Sequence, residues 1–141
     1  MTIDHMAQGL ENKKILVIEE VEDDAHLREV LRDKLAHEGF SVLQAKNGQE
    51  GLETALREHP DLILLDIAMP GMDGITMMEK LRQTDEWGKR VPIILLTNLS
   101  VDDERINQAI ADYDPAYYLV KSDWTIDALV GKIRDRLSGQ E

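Results

Sequence analysis

The sequence predicts a doubly wound α/β domain, and three observations carry that prediction. Short apolar runs alternate strictly with segments of helical periodicity along the 141 residues. The runs are apolar on consecutive residues, the pattern of strands buried on both faces of a parallel sheet. The connections are short, so helices must cross from each strand to the next in the right-handed sense and cover both faces.

Ile15 to Ile18 is the first strand, and Leu27, Val30, Leu31 and Leu35 share one face of a helix from about Asp23 to His37. Gly39 stops that helix. Ser41 to Ala45 is the second strand. Asn47, with Glu50 three residues on, caps a helix whose Leu52, Ala55 and Leu56 face inward. Pro60 separates it from the third strand, Leu62 to Asp66. Gly74 leads into a helix with Ile75, Met78 and Leu81 on its apolar side, ending near Thr84 before a loop that holds Trp87 and Gly88. The Met-rich stretch here reads as core filler. Pro92 to Thr97 is the fourth strand, and Ser100 with Asp103 predicts a capped short helix bearing Ile106, Ala109 and Ile110. Ala116 to Lys121 is the fifth strand, and Ile126, Leu129, Val130, Ile133 and Leu137 are the buried face of the last helix. This is the flavodoxin-like arrangement, whose strand order 2-1-3-4-5 sets strands one and three side by side at the switch point.

Chemistry in such sheets gathers beyond the carboxyl ends of the strands, and these strands end on reactive residues. In Leu62-Ile-Leu-Leu-Asp66-Ile-Ala-Met-Pro-Gly-Met-Asp-Gly74, four apolar residues lead to one aspartate and a loop rich in Pro and Gly follows. A lone strand-end aspartate more often caps its loop. Here, however, the first strand runs into Glu19, Glu20, Val21, Glu22, Asp23 and Asp24, the fourth ends in Thr97 and the fifth in Lys121. Strand-end acids beside Asp66 make a negative cluster of hard oxygen donors that suits Mg²⁺, an ion that keeps several waters for phosphate oxygens.

The order acids, Asp, Thr, Lys at successive strand ends resembles the receiver domain of two-component response regulators, of the single-domain chemotaxis type. The resemblance covers about Lys13 to Leu137, and the motif Asp66-Ile-Ala-Met-Pro-Gly-Met-Asp-Gly74 is highly specific for that family. It implies that Asp66 accepts a phosphoryl group from a histidine kinase or phosphotransfer protein. It implies further that Thr97 bonds the phosphoryl oxygens, that Lys121 pairs with them, and that Tyr118 and Thr97 form the switch. The main-chain carbonyl of Ala68 would join the metal ligands, and Ala68 and Leu99 would line the approach of water. Direct attachment to the apolar strand favours Glu19 and Glu20 as the metal-binding acids, whereas spacing to the helix favours Glu22 and Asp23; the first pair is preferred. A carboxylate nucleophile, a divalent cation and a positive side chain are the parts that in-line phosphoryl transfer requires. No general base is needed, because an aspartate is ionised at neutral pH.

Composition agrees. The chain suits one domain (13–138) between a flexible N-terminal segment (1–12) and a short tail (139–141), and it is long enough to bury a core. The absence of cysteine removes disulfides, thiolate metal sites and cysteine nucleophiles. No apolar run approaches the roughly 18 residues of a membrane span, so the protein is expected to be soluble and cytoplasmic, without a membrane partner. A net charge of −12 opposes direct nucleic-acid binding. His5, His26, His37 and His59 lack ligand spacing and read as surface residues. The function expected is a phosphorylation-driven switch that changes its binding face for a downstream protein or a second copy of itself, rather than a turnover enzyme. The face involved would comprise the helix after Ser100, the fifth strand and the last helix, with Tyr113, Tyr117 and Tyr118. An Asp-nucleophile phosphohydrolase is the alternative, disfavoured because Ala68 stands where such enzymes want a second aspartate; a phosphate-independent scaffold is the third.

Overall fold

A computed structural model describes residues 12–19, 25–69, 71–97, 104–120 and 125–138, the side chains of 25–28 excepted. Its elements in chain order are β1 (Lys14–Ile18), α1 (Ala25–His37), β2 (Ser41–Ala45), α2 (Gly48–Glu58), β3 (Leu62–Asp66), α3 (Gly74–Arg82), α4 (Glu86–Arg90), β4 (Ile93–Thr97), α5 (Glu104–Tyr113), β5 (Tyr117–Val120) and α6 (Ile126–Leu137). The strands form one parallel sheet in the order β2-β1-β3-β4-β5, as the alternation of elements predicts.

Side chains alternate across each strand, so the apolar runs serve two cores. Ile15, Val17, Leu62, Leu64, Ile94 and Leu96 pack with Leu31 and Leu35 of α1 and with Leu129, Val130 and Ile133 of α6. Leu16, Ile18, Ile63, Leu65, Ile93 and Leu95 pack on the other side with Ala55, Ile75, Met77, Met78, Leu81, Ile106 and Ala109. Met77 and Met78 are wholly buried, which agrees with the reading of the Met-rich stretch as core.

Helix ends follow local chemistry. Gly39, at φ +101°, takes the left-handed conformation that closes α1, while Phe40 N donates to Leu35 O and Gly39 N to Ala36 O. Asn47 accepts from Glu50 N at 2.8 Å, and the Glu50 carboxylate reaches back to Lys46 N, one residue earlier than a standard capping box.

The structure corrects several expectations. Leu56 is the exposed large hydrophobic residue among those described, because α2 turns Gly48, Gly51, Thr54 and Ala55 to the sheet instead. A Cβ on Gly51 would lie 2.6 Å from the Ile18 side chain, so small residues set how closely α2 approaches. Residues Trp87 and Gly88 belong to a short helix, not a loop: Asp85 caps α4 by accepting from Gly88 N at 2.7 Å, and α3 already ends at Arg82. β5 begins at Tyr117 instead of Ala116, while the expected helix start at Asp23 and strand end at Lys121 lie outside the described residues. The expected cap at Ser100 and Asp103 lies outside the described residues.

Arg82 holds the α3–α5 end of the molecule together. Its guanidinium donates to the carbonyls of Tyr113 (2.8 Å), Gly88 (2.9 Å), Val91 (2.8 Å) and Asp114 (3.4 Å), tying the ends of α4 and α5 to the entry of β4. Arg82→Ala leaves several half-buried carbonyls without that donor. We expect a loss of about 3 kcal/mol in unfolding free energy, since charged hydrogen bonds contribute roughly 1.5–3 kcal/mol each and share one desolvation cost. Urea unfolding reads it as a lower midpoint, with Arg82→Lys recovering less than half because an ammonium cannot span this fork.

Candidate phosphoacceptor site

β3 is buried at all five positions, and its last residue is the carboxylate Asp66, only 4 % exposed. Its neighbours on both sides end at the same level. Ile18 pairs with Leu65 in β1, so the next residue, Glu19, falls beside Asp66, and Glu19 is 1 % exposed. Leu96 of β4 pairs with Asp66, so Thr97, fully buried, is the residue that follows. Strand alternation turns Glu19 and Asp66 to one side of the sheet, and adjacent parallel strands lie about 4.8 Å apart. Two carboxylates thus stand side by side at the switch point, with a hydroxyl on the third strand.

The loop after β3 is shaped by close backbone contact. Asp66 Oδ1 accepts from Ala68 N at 3.3 Å, a turn that leaves Ala68 exposed. Gly74 N donates to Ile67 O at 2.9 Å. A Cβ on Gly74 would lie 2.3 Å from Asp66 O, and one on Gly48 2.4 Å from Met72 O, so glycine is what lets α3 and α2 seat against this loop.

Asp73 caps α3 by accepting from Thr76 N at 2.9 Å, and Arg105 of α5 grips the same carboxylate. Burial alone would raise the Asp73 carboxyl, but the hydrogen bonds from Arg105 and from the backbone and hydroxyl of Thr76 outweigh it and hold it below the usual carboxylate range. Sequence reasoning passed over Asp73, Thr76 and Arg105. The Asp73–Thr76 spacing is a capping signal that was open to reading; Arg105 gives none, because its partner lies 32 positions away.

Of the residues expected to act here, the structure brings Asp66, Ala68, Thr97 and Glu19 to the strand ends. Tyr118, opposite Leu95 in β5, is half-buried and packs on the α3–α5 core. Thr97 pairs with Val120, the residue before Lys121. Lys121, Leu99, Glu20, Glu22 and Asp23 lie outside the described residues. Among the described residues no three acidic or imidazole side chains gather into a metal cluster. The donors present, two carboxylates and the Ala68 carbonyl, are all hard oxygens, and Mg²⁺ is commonly held by one or two carboxylates with water completing its shell. The residues therefore fit that ion.

Fold and site together define a doubly wound α/β domain with buried carboxylates at the switch point of its sheet. The response regulator receiver domain family matches residues 15–134, and the chain belongs to it. The transcriptional activator protein PfeR of Pseudomonas aeruginosa is 36 % identical over an alignment 140 residues long that covers 96 % of this chain and 44 % of PfeR. The response regulator MprA of Mycobacterium leprae is 38 % identical over 81 % of this chain and 47 % of its own length. The chain thus spans less than half the length of these curated relatives. Response regulator TrrA of Thermotoga maritima, solved in complex with Mg²⁺ and BeF, superposes with a TM-score of 0.71 at 34 % identity, covering 89 % of this chain and 98 % of that one. The receiver domain of Francisella response regulator 1452 gives 0.75 at 26 % identity over 92 % and 100 %. The protein is a two-component response regulator receiver domain, and no described helix is long and apolar enough to cross a membrane.

Gly74→Ala tests how the loop holds Asp66. Alanine improves helix propensity by about 1 kcal/mol, but the added methyl meets backbone that cannot yield cheaply, and overpacking typically costs 1–3 kcal/mol. Helix start and strand end must separate. The expected outcome is a net destabilisation of about 1 kcal/mol and a slower modification of Asp66 by a small phosphodonor, measured by thermal unfolding and intact mass.

Proposed function

We propose that Asp66 accepts a phosphoryl group from a histidine kinase or phosphotransfer protein, and that the modified domain alters the surface it offers to a downstream protein. The observation that carries this reading is a carboxylate 4 % exposed at the end of the central strand, with Glu19 and Thr97 at the ends of the strands on either side. An oxygen of Asp66 forms the new P–O bond while the P–N bond of a phosphohistidine breaks, and the imidazole leaves with the electron pair and takes up a proton. Glu19, Glu20, Asp66 and the Ala68 carbonyl would hold Mg²⁺, which when bound neutralises charge on the transferred group. Thr97 donates its hydroxyl to a phosphoryl oxygen, and Lys121, next in chain after Val120, pairs with the new charge.

The tie from site to surface runs through β4 and β5. Thr97 leads into the segment before α5, and Tyr118 packs between β5 and the α3–α5 core, so a shift at Thr97 is felt on the face made by α5, β5 and α6. That face would meet the target or a second copy of the chain, in the cytoplasm. The net charge of −12 speaks against nucleic acid as its direct partner.

Acetyl phosphate with Mg²⁺, read by intact mass, tests the reading. The wild type gains one phosphoryl group and Asp66→Asn gains none, since an amide cannot replace the nucleophilic oxygen. Equal modification of the variant would remove Asp66 from its role.

The phosphorylated form should also be long-lived. By the family resemblance the positions of Ala68 and Leu99 would flank the path of the attacking water, and neither side chain can orient it by hydrogen bonding. General-base or water-positioning help typically contributes about a hundredfold in rate. Ala68→Asn combined with Leu99→Glu should therefore shorten the lifetime markedly, followed as phosphoryl loss after donor removal in excess Mg²⁺. A double variant as slow as the wild type would place control of water elsewhere.

A further inference from the structure

We propose that Arg105 is a positioning residue that couples the phosphoacceptor loop to α5. Its guanidinium makes a fork on Asp73, with Nη1 to Oδ2 at 2.8 Å and Nη2 to Oδ1 at 3.2 Å, and Nη2 also donates to Thr76 Oγ1 at 3.1 Å. This is a planar two-point grip, which fixes direction as well as distance.

Both ends of the grip are anchored to the chemistry. On one side, Asp73 caps α3 through Thr76 N, and the next residue, Gly74, seats on the Asp66 carbonyl and bonds Ile67 O. Asp73 therefore cannot shift without disturbing the main chain of the phosphoacceptor. On the other side, Arg105 is the second residue of α5, in the first turn of the helix that follows Thr97 in the chain. Beside the fork, α3 and α5 pack through Ile75, Ile106 and Ala109, and a surface cleft of about 230 Å³ runs between their outer faces past Glu79, Gln108 and Tyr113. The helices thus share an apolar contact and are clasped at their site-proximal ends by a directional polar fork, through which movement at one anchor is passed to the other. Coupling of this kind is reciprocal: what Asp66 does to α5, a ligand on α5 does to Asp66.

The inference rests on Asp66 as phosphoacceptor, and one experiment separates the two. Hydrogen exchange of the α5 amides is measured with and without acetyl phosphate and Mg²⁺ in the wild type, Arg105→Ala, Arg105→Lys and Thr76→Val, with phosphoryl occupancy read by intact mass in the same samples. The wild type should take up phosphoryl and change α5 exchange. Arg105→Ala should still take it up, with the phosphorylation-dependent change in α5 exchange reduced by about two- to fivefold, the range of a partly exposed ion pair. Arg105→Lys and Thr76→Val, which each keep part of the clasp, should fall between. Full α5 response in Arg105→Ala overturns the proposal, and so does a wild type that is phosphorylated without any α5 response. A wild type that takes up no phosphoryl group overturns the function itself. If Arg105→Ala fails to fold, the graded losses in Arg105→Lys and Thr76→Val decide, and full responses in both overturn the coupling.

Discussion

The burial of β3 is the constraint on which the rest of this structure depends. A strand without an exposed residue must be covered by a strand on each edge and by helices on each face. That cover leaves one opening for Asp66, beyond the strand's carboxyl end. Every other site residue is placed by reference to it: Glu19 by the β1 register, Thr97 by the β4 register, and Gly74 by its contact with the Asp66 carbonyl. A carboxylate at the end of four fully buried residues does not wander, and such fixity is the preorganisation that the proposed in-line displacement would need.

Glycines do the complementary work. Gly48 and Gly74 let two helix starts close on the loop after β3, and Gly51 lets α2 lie on Ile18. The helices carry the apolar bulk, while the small residues determine how near they come. The site is therefore rigid where it borders the sheet, and linked to the outer helices by polar contacts, the Arg105 fork near the site and the Arg82 fork at the far end of α3. Apolar contacts carry no preferred direction of their own, whereas forks onto carboxylates and carbonyls are directional. Motion arising at Asp66 would be channelled by the directional links.

The histidines illustrate the limits of composition as a guide. His59 is exposed, as its spacing suggests, yet it takes a left-handed conformation (φ 47°) to end α2 and stacks on Trp87 at 4.3 Å with rings 7° from parallel. The stack sits at the end of the sheet away from Asp66 and joins the α2–β3 turn to α4. It is a packing contact that no ligand spacing would disclose.

The sequence by itself determined every described element but the short α4, the parallel sheet and its order, and the positions of Asp66, Thr97 and Glu19 at strand ends. Those properties are written locally: apolar runs with period one or 3.6, caps such as Asn47, and stops such as Gly39. Tertiary structure alone decided which face of α2 is inward, because Gly48 and Gly51 score as weak helix formers while serving as the close-packing surface, and Leu56 was left outside. It decided that Trp87 and Gly88 are helical, since the cap at Asp85 works only where α3 has ended and β4 must begin. It also decided the partners of Arg82 and Arg105. A flexible charged side chain looks the same in sequence whether it is solvated or forked, and only the folded chain brings Tyr113 and Asp73 within its reach.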